Sequence, residues 1–265
     1  MFTRGFALVL FLFGPVAMYA AVATKPDPTP AEIQNIITKF TEKETQFAAA
    51  RENYTWQQST KLEEVDPPGG SYYLIEDVGF DDRNRRTSQV TYAPVPTLQN
   101  IVMTREDEED FRNIMPFVMT NSTRDEYIVN YVGRQQVDEI GCYVFAVKPI
   151  KLTKDRKRYF DCQIWVDDRD LQIVKTYGQG IGRLGHGEDQ QFPKFETYRE
   201  QIDGKYWFPV YTYADDTLTW KDGQTQRIKV VVRYSHYKKW QFKTNSTIKY
   251  GDVQPSQPKG SDKQK

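Results

Sequence analysis

Residues 158–178 read RYFDCQIWVDDRDLQIVKTYG, and residues 192–216 read FPKFETYREQIDGKYWFPVYTYADD. In the first stretch, two runs rich in β-branched and aromatic residues meet at Asp167-Asp168-Arg169-Asp170. In the second, two more meet at Asp203-Gly204. Short polar turns between such runs signal antiparallel hairpins. Tyr206, Trp207, Phe208, Tyr211 and Tyr213 place aromatic side chains on both parities of one strand. A sheet apolar on both faces must cover both, with other protein elements or with a ligand. These hairpins point to a concave antiparallel sheet that holds something apolar.

The rest of the chain extends that pattern. Beyond residue 23 there are 33 Ile and Val and 16 Tyr but only 7 Leu, which favours strands over helices. Strand patterns cover 54–65, 72–80, 85–92, 127–132, 135–140, both arms of a hairpin at 140–166, 171–177, 195–202, 206–215 and 226–237. Gly133 reads as a turn between the fourth and fifth of these. Two helices interrupt the strands. Thr29-Pro30-Ala31-Glu32 is a capping box with Pro in the first turn, opening a helix over about 30–52. Its stripe of Ile33, Ile36, Ile37, Phe40 and Phe47 is broken by Glu44. Thr104 caps a second helix with an acidic first turn, a stripe of Phe111, Ile114 and Met115, and a stop at Pro116. It reads either as a lid more mobile than the sheet or as an ordinary helix on the core. The fold class is mainly β (α+β), with ten or eleven strands and two helices.

The termini and the charge set the compartment. Arg4, an apolar run over 6–20 and Ala21-Val22-Ala23 fit a cleavable export signal over 1–23. A membrane anchor is the competing reading, but the run falls short of the ~20 residues that span a bilayer. No Cys follows the cleavage site, so the expectation is a periplasmic product without a lipid anchor. A Pro-rich segment over 24–30, a single domain over 31–250 and a disordered tail over 251–265 would follow. Charge is balanced, 36 basic against 36 acidic side chains, which disfavours a nucleic-acid partner.

Cys142 and Cys162 are the only cysteines. Each lies in one arm of the 140–166 hairpin, with a charged turn over 151–158 between them. If that hairpin folds about Leu152, residue 142 faces 162, 144 faces 160 and 146 faces 158. Residues opposed in non-hydrogen-bonded pairs lie ~4.5 Å apart at Cα, within disulfide reach. A Cys142–Cys162 bond is therefore expected in an oxidising compartment, with two buried free thiols as the alternative.

Catalytic apparatus is thin. His186 lies in a Gly-rich loop and His236 near a strand end, and neither has an identifiable nucleophile or carboxylate partner. Asp167-Asp168-Arg169-Asp170 lacks the Gly and Glu of a calcium loop and reads as a hairpin turn. Gly178-Gln179-Gly180-Ile181-Gly182 lacks the Lys-Ser/Thr pair of a phosphate loop and reads as a flexible connection. Asn53, Asn121 and Asn245 stand in glycosylation sequons that matter only in a eukaryotic secretory pathway. The expectation is no enzyme, no metal and no cofactor.

A capped N-terminal helix leads into this sheet. One strand ends Ile164-Trp165-Val166-Asp167 and is followed by a turn and Gln172-Ile173-Val174-Lys175. A late strand over 195–198 precedes Ile202-Asp203-Gly204-Lys205-Tyr206-Trp207-Phe208-Pro209. Together, over about 31–237, these motifs resemble the LolA/LolB-like superfamily of exported outer-membrane lipoprotein-sorting proteins. The resemblance implies a strongly curved, incomplete antiparallel barrel wrapped around the N-terminal helix and a lid helix. It implies an apolar cavity that takes lipoprotein acyl chains or other lipid, and a transfer partner at the inner or outer membrane. A monomer is expected. Envelope-stress sensing, as a protein-interaction module of the same fold, is the other function it implies. The lid-locking arginine of such carriers cannot be assigned among Arg83, Arg85 and Arg86, and the cysteine pair and polar tail depart from the typical carrier. The cavity is expected between helix one and the concave face. Ile33, Ile37 and Phe40 would line it from the helix, and Trp56, Phe111, Phe160, Ile164, Phe208, Val230 and Val232 from the wall. A one-residue slip of the last hairpin would exchange Phe208 and Val210 for Trp207 and Tyr211.

Overall fold

The computed structural model describes residues 26–153, 157–182 and 192–239. The expected signal peptide, the tail, the His186 loop, Asn245 and residues 154–156 of the basic run lie outside them. Helix α1, Pro30–Arg51, starts at the expected capping box. Its buried stripe is Ile36, Ile37, Phe40, Thr41, Glu44 and Phe47, so Glu44 belongs to the apolar face that it seemed to interrupt. Ten strands follow: β1 Tyr54–Asp66, β2 Ser71–Phe80, β3 Arg86–Tyr92, β4 Tyr127–Val137, β5 Ile140–Pro149, β6 Tyr159–Asp167, β7 Ile173–Ile181, β8 Phe195–Gln201, β9 Trp207–Thr219 and β10 Thr225–Lys239. Between β3 and β4 lie α2, Arg105–Asn113, and the single turn α3, Asn121–Arg124.

All ten strands form one antiparallel sheet in the order β3-β2-β1-β10-β9-β8-β7-β6-β5-β4. The edges β3 and β4 do not pair with each other, so the barrel stays open. Those edge strands are consecutive in sequence. The chain must therefore travel from one edge to the other, and it does so across the inner face, carrying α2 with it. Two expected strands at 127–132 and 135–140 are one strand, β4. Gly133, at φ 151°, sits at a shift of register within it and not at a turn. A bulge bends a strand without ending it.

Period-2 alternation sorts the faces as read from sequence. In β10, Ile228, Val230, Val232 and Tyr234 are buried on the inner side. Phe208 also faces inward, 5.1 Å from Phe47 and 4.7 Å from Tyr54 between ring centroids. Its neighbour Trp207 packs with the outer cluster of Cys142, Val144, Trp165 and Val174. The outer aromatics pack against neighbouring side chains of the same face. Trp165, Lys175, Tyr198, Tyr211 and Arg233 are successive partners across five strands. Lys175 lies 4.6 Å from the centre of the Tyr198 ring and Arg233 5.2 Å from that of Tyr211. Cations from adjacent strands thus shield the rings.

The cysteine pairing differs from expectation. Cys142 is opposite Asp167, and Cys162 is opposite Val147. An offset of five positions is odd, so it places the thiols on opposite faces: Cys142 in the outer cluster and Cys162 in the inner core. The register of the 140–166 hairpin thus differs by five positions from the expected one. Both cysteines are free and buried. Burial pushes the Cys142 thiol up to about 12 and the Cys162 thiol well above its ordinary value.

One ion pair ties the layers together. Arg199 of β8 donates to both oxygens of Glu44 at 2.9 and 3.1 Å, with each side chain 1% exposed. Its other terminal nitrogen donates to the carbonyl of Phe117 in the crossing segment. Burial raises the Glu44 carboxyl above its ordinary range, and Arg199 opposes that rise.

Two outcomes are expected. Arg199→Leu leaves a buried carboxylate unpaired and should cost about 3–5 kcal/mol. Glu44→Leu/Arg199→Leu should recover part of that loss, retaining about 1–3 kcal/mol for the orphaned Phe117 carbonyl. Urea titration of the three proteins checks this, and a double variant no more stable than the single one would refute it. Thiol counting should find both cysteines free in denaturant and resistant to alkylation at mild alkaline pH in the folded protein, since the thiolate is the reactive form. A linked peptide pair would contradict the register.

Candidate ligand cavity

Helix α2 is short and strongly acidic, and it holds its place through capping and cross-links. Thr104 Oγ1 and its backbone N–H both donate to Asp107 Oδ2, at 2.7 and 2.8 Å, closing a capping box. Arg112 donates to Glu76 of β2 at 3.3 Å, and Arg86 of β3 donates to the other Glu76 oxygen. Tyr72 donates to Glu108 at 3.1 Å. On the opposite side, Arg158 grips Asp110, with its closest contact at 2.8 Å. Burial pushes the Asp110 carboxyl up, against the pull of Arg158.

The carbonyls beyond these side chains are also met. Gln58 donates to Phe111, Thr197 to Met115 at 2.9 Å, and Arg199 to Phe117. Thr197 also shares a 2.7 Å hydrogen bond with Thr212. The inner face of the sheet therefore carries a polar seam where the crossing segment rests on it, since buried carbonyls require partners.

A cavity of about 340 Å³ opens on one side of that segment. Leu62, Ile228 and Val230 of the sheet are among its lining residues, with Phe111 and Met115 of the crossing segment. The β9–β10 hairpin adds Leu218, Trp220, Asp222 and Gln224, and the approach to α2 adds Ile101, Val102 and Met103. Val102 is 85% exposed, an apolar side chain presented to water beside the opening.

This is not where the sequence placed the cavity. Of the ten expected lining residues, only Phe111 and Val230 line it. Ile37, Phe40, Trp56, Phe160, Ile164 and Val232 lie in the main core, with Ile33 packed against it. Phe208 belongs to a smaller cluster with Phe47 and Tyr54. Phe40 packs 5.6 Å from Phe145, and Phe160 stacks on Phe195 at 4.9 Å. Helix α1 thus packs directly on the sheet. The 101–103 run, Leu218 and Trp220 were missed. The available signal was three consecutive apolar residues in a loop just before a helix cap, a pattern that needs a partner outside its own element.

The remaining sequence candidates resolve as structure. Asp170 accepts from Gln172, Gln201 and Trp207, at 2.8 Å from the indole, and so pins its own hairpin turn to the next one. Gly178 lies inside β7, where a Cβ would come within 2.2 Å of the Asp161 carbonyl oxygen. It is a point of close strand approach. His236 is exposed at φ 56°, opposite a shift of register in β1. Among the described residues, no three His, Cys, Asp or Glu side chains are grouped to hold a metal ion.

Glu64 of β1 fixes the loop that borders the cavity. Its carboxylate accepts from the backbone N–H groups of Gly70, Gln99, Asn100 and Ile101 at 2.6–2.9 Å. Burial alone would raise this carboxyl, but the four amides outweigh it and hold it below its ordinary 4.5. A depressed folded value means that the stabilisation is complete above pH 4.5 and is lost as pH falls through the lower, folded value. Glu64→Gln should therefore be less stable than the parent by about 1–3 kcal/mol at neutral pH. The gap should close on acidification, with faster amide exchange at 99–101 in the variant. A gap independent of pH would refute the clamp.

No protein-family model matches this chain, and no curated protein matches it. Similar solved structures include a LolA superfamily protein from Nitrosomonas europaea, 13% identical, covering 78% of this chain and 93% of that one at a TM-score of 0.36. A DUF1329 family protein from Desulfovibrio piger is 13% identical, with 81% and 94% covered and a TM-score of 0.37. An outer membrane lipoprotein-sorting protein domain from Vibrio parahaemolyticus is 10% identical, with 78% and 94% covered and a TM-score of 0.34.

Proposed function

We propose that this protein is a periplasmic carrier or binding protein for acyl chains of lipoproteins or other lipids, held without covalent chemistry. The observation that carries the reading is the cavity beside the crossing segment. Twelve of its lining side chains are apolar, and Val102 among them is 85% exposed. Concave sites lined mainly by apolar groups, with a few polar ones, are the usual form of small-ligand sites. The export-type N-terminus and the resemblance of the 202–209 motif agree with it. No described helix is long and apolar enough to cross a membrane. A second reading, a protein-interaction module, is favoured by the two unpaired sheet edges and by exposed apolar residues on them, Val90 and Tyr92 on β3, Ile128 and Val132 on β4.

Displacement of a fluorescent fatty-acyl probe, read beside the thermal midpoint, tests the carrier reading. Ile101→Trp, which fills the cavity from a loop, is expected to abolish or strongly weaken probe binding while leaving the midpoint close to the parent's. Phe160→Ala, in the packed core, should cost about 3–5 kcal/mol of stability while the folded protein keeps its probe affinity. Absence of binding by the parent at micromolar probe would replace the carrier with the interaction module.

A further inference from the structure

Four arginines lie along the concave side of the sheet: Arg51, Arg86, Arg112 and Arg199. Arg199 is paired with Glu44, and Arg86 and Arg112 share Glu76. Arg51, the last residue of α1, is the exception. Its guanidinium lies 5.7 Å from the centre of the Phe47 ring, which Arg199 also approaches, at 5.3 Å. It makes no hydrogen bond and no ion pair among the described residues, and its Nε is buried without an acceptor. The residue as a whole is half-buried, so solvent reaches it.

A cation in the last turn of a helix ordinarily meets the terminal carbonyls. Here Asn53 does so instead, donating from its backbone and its side chain to the Ala50 carbonyl. Nor does Glu44 supply the missing charge, since both its oxygens accept from Arg199 at 2.9 and 3.1 Å. Burial, and after it the charge of Arg199, push the Arg51 pKa down, against the pull of Tyr237 and Glu44. A second donor in the same region is also unmet. Trp56 is 8% exposed, and its indole Nε1 has no acceptor. Its ring stacks at 5.9 Å on Tyr237, the phenol whose field Arg51 feels. Water accepts from such donors but neutralises no charge, whereas an anion does both.

We propose that Arg51 and Trp56 mark an anion-binding site at the C-terminal end of α1 on the concave side, which takes a carboxylate or phosphate group. The guanidinium supplies a fork of parallel donors suited to either group, and the indole N–H supplies one more. Neither residue lines the apolar cavity, so the site does not depend on the carrier reading.

The test is a titration of the isotopically labelled full chain with inorganic phosphate at neutral pH and constant ionic strength, in exchange for chloride. The Arg51 Nε–H and Trp56 indole signals are assigned by their loss in Arg51→Lys and Trp56→Phe. They should move together and saturate, with a Kd on the order of 1 mM for two charge-assisted hydrogen bonds. The Trp220 indole, in the apolar cavity, should stay still. Arg51→Gln should weaken phosphate about tenfold or more, read from the Trp56 signal, and Trp56→Phe about threefold, read from the Arg51 signal. Monomeric dodecyl phosphate, read from the same two signals, identifies the source. Binding tighter by about tenfold or more assigns the site to the charged end of an amphiphile, and equal or weaker binding to a free anion. No saturable movement of either signal, an equal response at Trp220, or an unchanged affinity in Arg51→Gln would overturn the site. If the thermal midpoint shows that Arg51→Gln is unfolded, the parent titration and Trp56→Phe decide.

Discussion

A segment that crosses the inside of a sheet must find partners for its own backbone, because water is excluded there. The segment from β3 to β4 meets this constraint through Arg199. That guanidinium joins a carboxylate on α1 to a carbonyl of the crossing segment, from a strand in the middle of the sheet. Remove it, and three layers lose their common point. A buried pair of this kind is weak evidence for stability, since desolvation offsets much of the attraction. Its value here is placement: the position of α1 and the height of the crossing segment must meet both terminal nitrogens of Arg199 at once.

That placement decides where empty space is left. Helix α1 supplies large side chains, Phe40 and Phe47, that pack directly on the concave face. The crossing segment ends in Phe111, Met115 and Phe117, which fill the middle. The end bounded by the β9–β10 hairpin and the approach to α2 keeps the apolar cavity. Glu64 then holds that loop at the rim by its own amides, so the opening has a fixed edge. The cavity is what remains when two helices are too few to fill a ten-stranded curl.

Local signals account for most of what the sequence revealed. The capping box at Thr29 and the cap at Thr104 placed α1 and α2, and alternation in β1 and β10 assigned their faces. Each depends on neighbours within a few residues. What was not legible depended on register. The Cys142–Cys162 expectation needed the turn centre to within half a residue, and a shift there moves a side chain through the sheet. Gly133 looked like a turn because a bulge and a turn use the same residue type. The lining of the cavity was hardest, because a void is defined by what three distant segments fail to fill. Phe111 and Val230 were found because they are apolar on a known face. Trp220 follows the end of β9 and the 101–103 run lies in a loop, so neither sits on a strand or helix face that alternation assigns.

The polar seam gives this architecture its asymmetry. In an all-apolar core the crossing segment could slide along the sheet at little cost, and a void could open anywhere beneath it. Here Gln58, Thr197 and Arg199 each hold one carbonyl, while Glu76 and Arg158 hold the two sides of α2. Polar contacts are directional, so they fix position where apolar packing would tolerate drift. The apolar lining therefore stays on one side of the segment, continuous from Ile228 to Val102. A guest of matching chemistry can use it without breaking the bonds that hold the fold.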